Sequence, residues 1–179
     1  LPRPEASSAG IETGRTVVAP YNDAGAAAAL IGEHAGDLAC VIVEPLQRCL
    51  TPREGFLEAL RTACDEHGVL LIFDEVVTGF RLAYDGAQGY YGVVPDLVAY
   101  GKALGGGLPI GVFGGRREIM EIVREDVPRH DRYVWTASTH GGNPVSAAAA
   151  NAALAVVRGD GVYGRLHETG RRFREVLTR

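Results

Sequence analysis

Two hydrophobic periods alternate along this chain. Unbroken apolar runs of strand length occur at LACVIVE (38–44), VLLIFDE (69–75), PDLVAYGK (95–102) and PIGVFGG (109–115). The first and second show no polar alternation, which suits strands covered on both faces. Stretches with helical spacing lie between and around them. In REGFLEALRTACDEHG (53–68), Phe56, Leu57, Leu60, Ala63 and Cys64 share one face, and Gly68 is placed to end the helix. NDAGAAAALIGEHAG (22–36) predicts a helix with Asn22 or Asp23 as its N-cap. RREIMEIVRE (116–125) predicts another, and 143–157 and 162–179 predict two more. TVVAP (16–20) is a short β-branched run, and residues 1–15 read as loop.

Buried strands alternating with amphipathic helices imply an α/β domain with a mostly parallel sheet. Such sheets bind ligands beyond the carboxyl ends of their strands. Glu44, Asp74 and Lys102 all fall at predicted carboxyl ends, so they should converge on one crevice.

Composition narrows the classes. With 179 residues, 46% hydrophobic and 22% charged, the chain has the make-up of one folded domain. A net charge of −4 leaves no basic footprint for nucleic acid. Cys40, Cys49 and Cys64 form no CxxC pair and are odd in number, so they read as reduced core thiols of a cytoplasmic protein. The longest apolar stretch, VSAAAANAALAVV, is too short to span a membrane and is broken by Asn151, so it reads as a buried helix. No secretory signal is visible. The chain starts with Leu1 in a polar, proline-bearing segment and reads as a piece of a longer polypeptide.

Chemistry gathers where the apolar runs end. LLIFDE closes on two acids, and LVAYGK closes on a cation. A charge at the edge of a dry core costs several kcal/mol unless it is paired. One reading is therefore a salt bridge between Asp74 and Lys102. The other starts from the glycines of GKALGGG, which strip side chains from around Lys102, and from Glu75, which leaves the charges unbalanced. A desolvated lysine is a nucleophile towards carbonyls. A carboxylate opposite it can keep a pyridinium nitrogen protonated, the pairing that pyridoxal phosphate chemistry demands.

Other motifs fail. Asp96 stands where a P-loop needs its first glycine, and Ala103 where it needs Ser or Thr. The histidines show no metal-ligand spacing, and no GxSxG elbow occurs. The polar STHGGNP loop (138–144) precedes a predicted helix, so its hydroxyls either hold a phosphate or cap that helix.

The chain resembles the class III, fold-type-I pyridoxal-phosphate aminotransferases, closest to the glutamate-1-semialdehyde aminomutase branch. The resemblance is carried by SAG…APYND, VIVEP, GFLEALRTACDEHGVLLIFDEVVTGFR, GAQGYYGVVPDLVAYGKALGGGLPIGVFGGRREIM and STHGGNP. It implies a three-layer large domain, of which residues 1–179 form the middle and C-terminal part. The family's upstream half and small C-terminal domain lie outside the chain. It implies pyridoxal 5'-phosphate as cofactor, Lys102 as the Schiff-base lysine and proton carrier, and Asp74 as partner of the ring nitrogen. Val76 would pack on one ring face, although core packing explains Val76 equally well. Ser138 and Thr139 would bind the phosphate of the neighbouring subunit's cofactor, which makes a homodimer the expected assembly. Glu75 is expected to support its loop, and Arg81 and the glycines after Lys102 to be structural. The segment after Glu44-Pro45 is shorter than the family's.

The activity implied is transfer of an amino group between a small-molecule donor and a carbonyl acceptor. Intramolecular amino exchange would use the same residues. A reading from another class is a non-catalytic module of a larger assembly, against which the joint presence of Asp74, Lys102 and Thr139 argues.

Overall fold

A computed structural model describes residues 16–124, 133–136 and 138–178. The predicted loop at 1–15 lies outside the described residues. Residues 16–20 carry no regular structure. The elements then run α1 (Ala24–His34), β1 (Cys40–Val43), α2 (Phe56–His67), β2 (Leu70–Asp74), α3 (Gly86–Tyr91), β3 (Leu97–Tyr100), β4 (Val112–Gly115), α4 (Arg117–Met120), α5 (Pro144–Val157) and α6 (Val162–Leu177). Among the described residues the sheet has the order β1-β2-β3-β4. β1, β2 and β3 are parallel, and β4 is antiparallel to β3. The architecture is α/β with a mostly parallel sheet, as the alternating pattern predicts.

Local signals explain the first two helices. Asp23 is the N-cap of α1, its Oδ1 accepting from the Ala26 N–H at 2.9 Å. Asn22 instead takes a left-handed backbone (φ 66°), and its amide bridges the Thr51 carbonyl and the Arg53 N–H. α2 buries the five residues predicted for its apolar face and stops at Gly68, which adopts φ 67°. That face meets Ala27 and Ile31 of α1 and Leu71 and Phe73 of β2 in one core. Full burial of a Leu or Phe side chain stabilises by ~1.5–3 kcal/mol, so this cluster is the main anchor of the sheet.

Only one face of β1 meets that core. Val41 and Val43 pack against it, while Ile42 points the other way and is 66% exposed. Among the described residues β1 is therefore covered on one face, not on the two that its apolar run predicts. Helix α5 is not buried as a whole either. Ser146 and Ala150 are buried, but Val145 and Val156 are exposed, because the helix touches its support along one narrow line. RREIMEIVRE forms a single α turn followed by a 3-10 turn at Glu121–Val123 rather than one helix. No side chain caps its start and none of its residues is fully buried, so neither capping nor packing extends it.

All three cysteines are free. Cys64 fits the core-thiol expectation: burial pushes its thiol up to about 11, leaving it a protonated filler. Cys40 is half-buried and Cys49 is exposed, so the expectation fails for Cys49. No helix among the described residues is long and apolar enough to cross a membrane.

Candidate active site

Alternation along β2 sorts the two neighbouring acids. Leu71 and Phe73 face the α1–α2 core, so Leu70, Ile72 and Asp74 face the opposite side of the sheet. Asp74 therefore ends the strand on the open face, half-buried, with Oδ1 accepting from the Val76 N–H at 3.0 Å. No described residue binds its other oxygen. Glu75, one residue on, turns inward and is 0% exposed. Its carboxylate accepts from Thr78 Oγ1 (3.1 Å) and from the Ala87 and Gln88 N–H groups at the start of α3. Glu75 thus supports its loop, as expected.

Register places the remaining charges. Ile42 pairs with Ile72, so Glu44 emerges beside Asp74. The two carboxylates line a cleft of about 580 Å³ along the outer edge of β1, together with Tyr21 and Gln47. Asp74 pairs with Ala99 on its other side, and Lys102 follows three residues after Ala99. Lys102 is exposed and is not part of that cleft's lining. The expected single crevice is thus a rim in the described residues. Glu44 and Asp74 share a cleft, while Lys102 stands across β2 from Glu44.

The backbone at Lys102 is unusual for a residue with a side chain, with φ 44°. Left-handed geometry costs a non-glycine residue ~1–2 kcal/mol and persists only when its surroundings enforce it. Gly101 precedes it in an extended conformation, 3.4 Å from Val76 Cγ1 if it carried a Cβ. Val76 therefore lies against the Gly101 backbone, one residue before Lys102. A 3-10 turn spans Lys102–Gly105 and rests on α5. At Gly106 (φ 57°) a Cβ would stand 3.1 Å from the Ala149 carbonyl and 3.2 Å from Ala153 Cβ. The bulky neighbour that the glycines admit at this point is the small-residue face of α5. No ion pair joins Asp74 and Lys102, and the Lys102 amine has no hydrogen bond or ion pair with any described residue. The salt-bridge reading fails.

The STHGGNP loop forms a turn before α5, closed by the Gly141 N–H on the Ser138 carbonyl at 3.0 Å. Asn143 caps the helix: its Oδ1 accepts from the Val145 and Ser146 N–H groups at 2.9 and 3.3 Å. Pro144 supplies the first helical residue. Ser138 and Thr139 are exposed, and helix capping does not account for their hydroxyls.

A strained lysine, a backbone-held carboxylate and a free hydroxyl turn now stand in one molecule, and the sequence that carries them matches a known profile. The aminotransferase class-III profile fits residues 11–179. The chain belongs to the class-III aminotransferase family. It is 48% identical over 177 residues to a glutamate-1-semialdehyde 2,1-aminomutase of Pelotomaculum thermopropionicum, covering 97% of this chain and 38% of that relative. A β-phenylalanine aminotransferase from Variovorax paradoxus matches in structure with TM-score 0.81 at 36% identity, over 89% of this chain and 36% of that one. The FumI protein of Sphingopyxis sp., solved in its PLP internal aldimine form, matches with TM-score 0.78 at 28% identity over 89% of this chain and 38% of that one. The chain thus spans well under half the length of these class-III relatives. Their likeness bears out the fold-type-I expectation.

Three supporting residues of this class-III chain escape a motif reading. Asp96 is buried and accepts from Arg61, Arg116 and the Leu71 N–H. Gln88 donates through Nε2 to the Tyr100 hydroxyl at 2.6 Å. The sequence offers one signal, an acid at Asp96 directly before an apolar strand. For Gln88 and Tyr100 it offers none, because their link joins separate elements.

Proposed function

We propose that residues 1–179 belong to the cofactor-binding large domain of an enzyme that moves an amino group from a small-molecule donor to a carbonyl acceptor with pyridoxal 5'-phosphate. The observation that carries this reading is the pair at the ends of β2 and β3. Among the described residues Lys102 is held in a strained backbone with its amine unpaired, one strand away from an Asp74 that keeps an oxygen free. A structural salt bridge would have closed that pair. The donor set suits the cofactor, offering an amine for its aldehyde, a carboxylate for its ring nitrogen, an apolar wall at Val76 and hydroxyls for its phosphate.

When bound, pyridoxal 5'-phosphate supplies an aldehyde and an electron-accepting ring. Lys102 would hold it through the amine and, once displaced by substrate, would take and return a proton at the substrate carbon. Asp74 would keep the proton on the ring nitrogen. Val76, braced by Gly101, would support one ring face. Ser138 and Thr139 would bind the phosphate of the neighbouring subunit's cofactor in a homodimer. Intramolecular amino exchange is the second reading, favoured by the 48% identity to an aminomutase. The same residues serve it.

Asp74→Asn tests the reading. The amide keeps the shape but loses the charge, so the proton-transfer step should slow by at least ~10²-fold while cofactor affinity changes less. An unchanged single-turnover rate would remove Asp74 from this role. Thr139 is tested by mixed dimers of the full-length protein. A hydroxyl bonded to a dianion contributes ~1.5–3 kcal/mol, so Thr139→Ala should weaken cofactor binding by roughly ten- to a hundredfold. Pairing a Lys102→Ala subunit with a Thr139→Ala subunit puts both lesions in one site and leaves the other whole. A heterodimer no more active than either parent at limiting cofactor would refute the cross-subunit clamp.

A further inference from the structure

Glu75 is enclosed with no cation beside it among the described residues. Such a carboxylate is expensive to bury and is kept only where its hydrogen bonds compensate. Those bonds lead towards Lys102. The Glu75 N–H donates to the Ala99 carbonyl of β3 at 2.9 Å. Its side chain is clamped by the Gln88 N–H at 3.0 Å, and Gln88 Nε2 donates in turn to the Tyr100 hydroxyl. Tyr100 ends β3 two residues before Lys102. Its ring fills the space where a Cβ on Gly79 would stand, and it packs 5.2 Å from the Phe80 ring. Phe80, against this ring, and Lys102, two residues after Tyr100 in the chain, are both left-handed, at φ 59° and 44°.

Resting on the cofactor reading above, we propose that Glu75, Gln88 and Tyr100 are positioning residues that fix Lys102 relative to Asp74. One end of the link is the Asp74–Glu75 peptide, and the other is Tyr100–Gly101–Lys102. The Glu75 carboxylate turns inward, away from the open face on which Asp74 stands, so it acts through other residues and not on the cofactor itself. Burial, aided by the Glu75 charge, pushes the Tyr100 hydroxyl up to about 12, so it stays protonated and neutral through the neutral range. The Gln88–Tyr100 hydrogen bond therefore keeps its donor and acceptor roles and serves as a fixed strut. A displacement of about 1 Å at a reacting group costs up to ~10²-fold in rate, which is what such a strut prevents.

The test uses full-length protein stripped of cofactor, with Gln88→Leu, Tyr100→Phe and the double variant. Two quantities are read: melting temperature, and the rate at which the visible band of the Lys102-bound cofactor grows after pyridoxal 5'-phosphate is added. In that step Lys102 Nζ joins the aldehyde carbon and water leaves. Tyr100→Phe leaves the Gln88 amide only its long, 3.5 Å hydrogen bond to Glu75 Oε1 and should lower the melting temperature. The double variant removes both polar partners and should regain much of that loss. Attachment should be about tenfold slower or worse in all three, the double variant included. An attachment rate that recovers along with stability in the double variant, or one that is wild-type throughout, would overturn the proposal and leave the cofactor reading standing. A wild-type protein that forms no borohydride-reducible bond at Lys102 would overturn both.

Discussion

Adjacent residues on a strand face opposite ways, and the divergence of Asp74 and Glu75 follows from that geometry. The same apolar run that buries Leu71 and Phe73 turns Asp74 to the open face and Glu75 inward. The role of Glu75 was legible because two acids in succession cannot share one face. Its partner Gly86 was not, because a glycine's reason lies in what approaches it. Gly86 adopts φ 73°, and a Cβ there would stand 2.5 Å from Glu75 Oε2. Gly92 has the same φ with nothing within 4 Å. Gly92→Ala should therefore cost only the left-handed strain, ~1–2 kcal/mol. Gly86→Ala should cost that plus displacement of a buried carboxylate, in total about 3–4 kcal/mol by urea unfolding. Equal losses at the two positions would show that the Glu75 contact carries no weight.

Elements with their own periodicity were legible, and those defined by their neighbours were not. α2 and β2 fall where the apolar spacing puts them. α3 was missed because GAQGYY has no helical stripe and starts under the Glu75 clamp. The direction of β4 was left open by its composition, although residues 101–111 are short for a parallel crossover, which needs a dozen or more. What joins these elements is Asp96. Its carboxylate accepts from Arg61 of α2 (2.9 Å), from Arg116 at the start of α4 (3.0 Å) and from the Leu71 N–H of β2 (2.7 Å). Burial alone would raise its pKa, but the hydrogen bonds from Leu71, Arg116 and Arg61 outweigh it and hold the carboxyl below its ordinary value. A depressed folded-state pKa stabilises the fold above the unfolded value, ~3.9, and that stabilisation is lost as pH falls through the folded value. Asp96→Asn should therefore cost about 2–3 kcal/mol at pH 7, with the gap to wild type closing below about pH 4. A gap independent of pH in parallel unfolding curves would contradict this account of Asp96.

Over the whole molecule, the placement of Asp74 and Lys102 at strand ends was more legible than the strand order around them. Asp74 and Lys102 stand out because charges that end buried runs need a reason, and parallel strands bring their carboxyl ends together. The place of β1 at the end of the described sheet was hidden because strand order is written in long-range pairing and not in any local stretch. The glycines after Lys102 were rightly expected to be structural, and the helix they admit emerged only with α5 in place. The chain spans 38% of its aminomutase relative, so the decisive test belongs to the full-length protein. That protein, incubated with pyridoxal 5'-phosphate, reduced with borohydride and digested, should carry the phosphopyridoxyl mass on the peptide containing Lys102. Lys102→Ala should lose that mass while melting as the wild type does. Label on a different lysine, or a reducible bond that survives Lys102→Ala, would contradict the central claim.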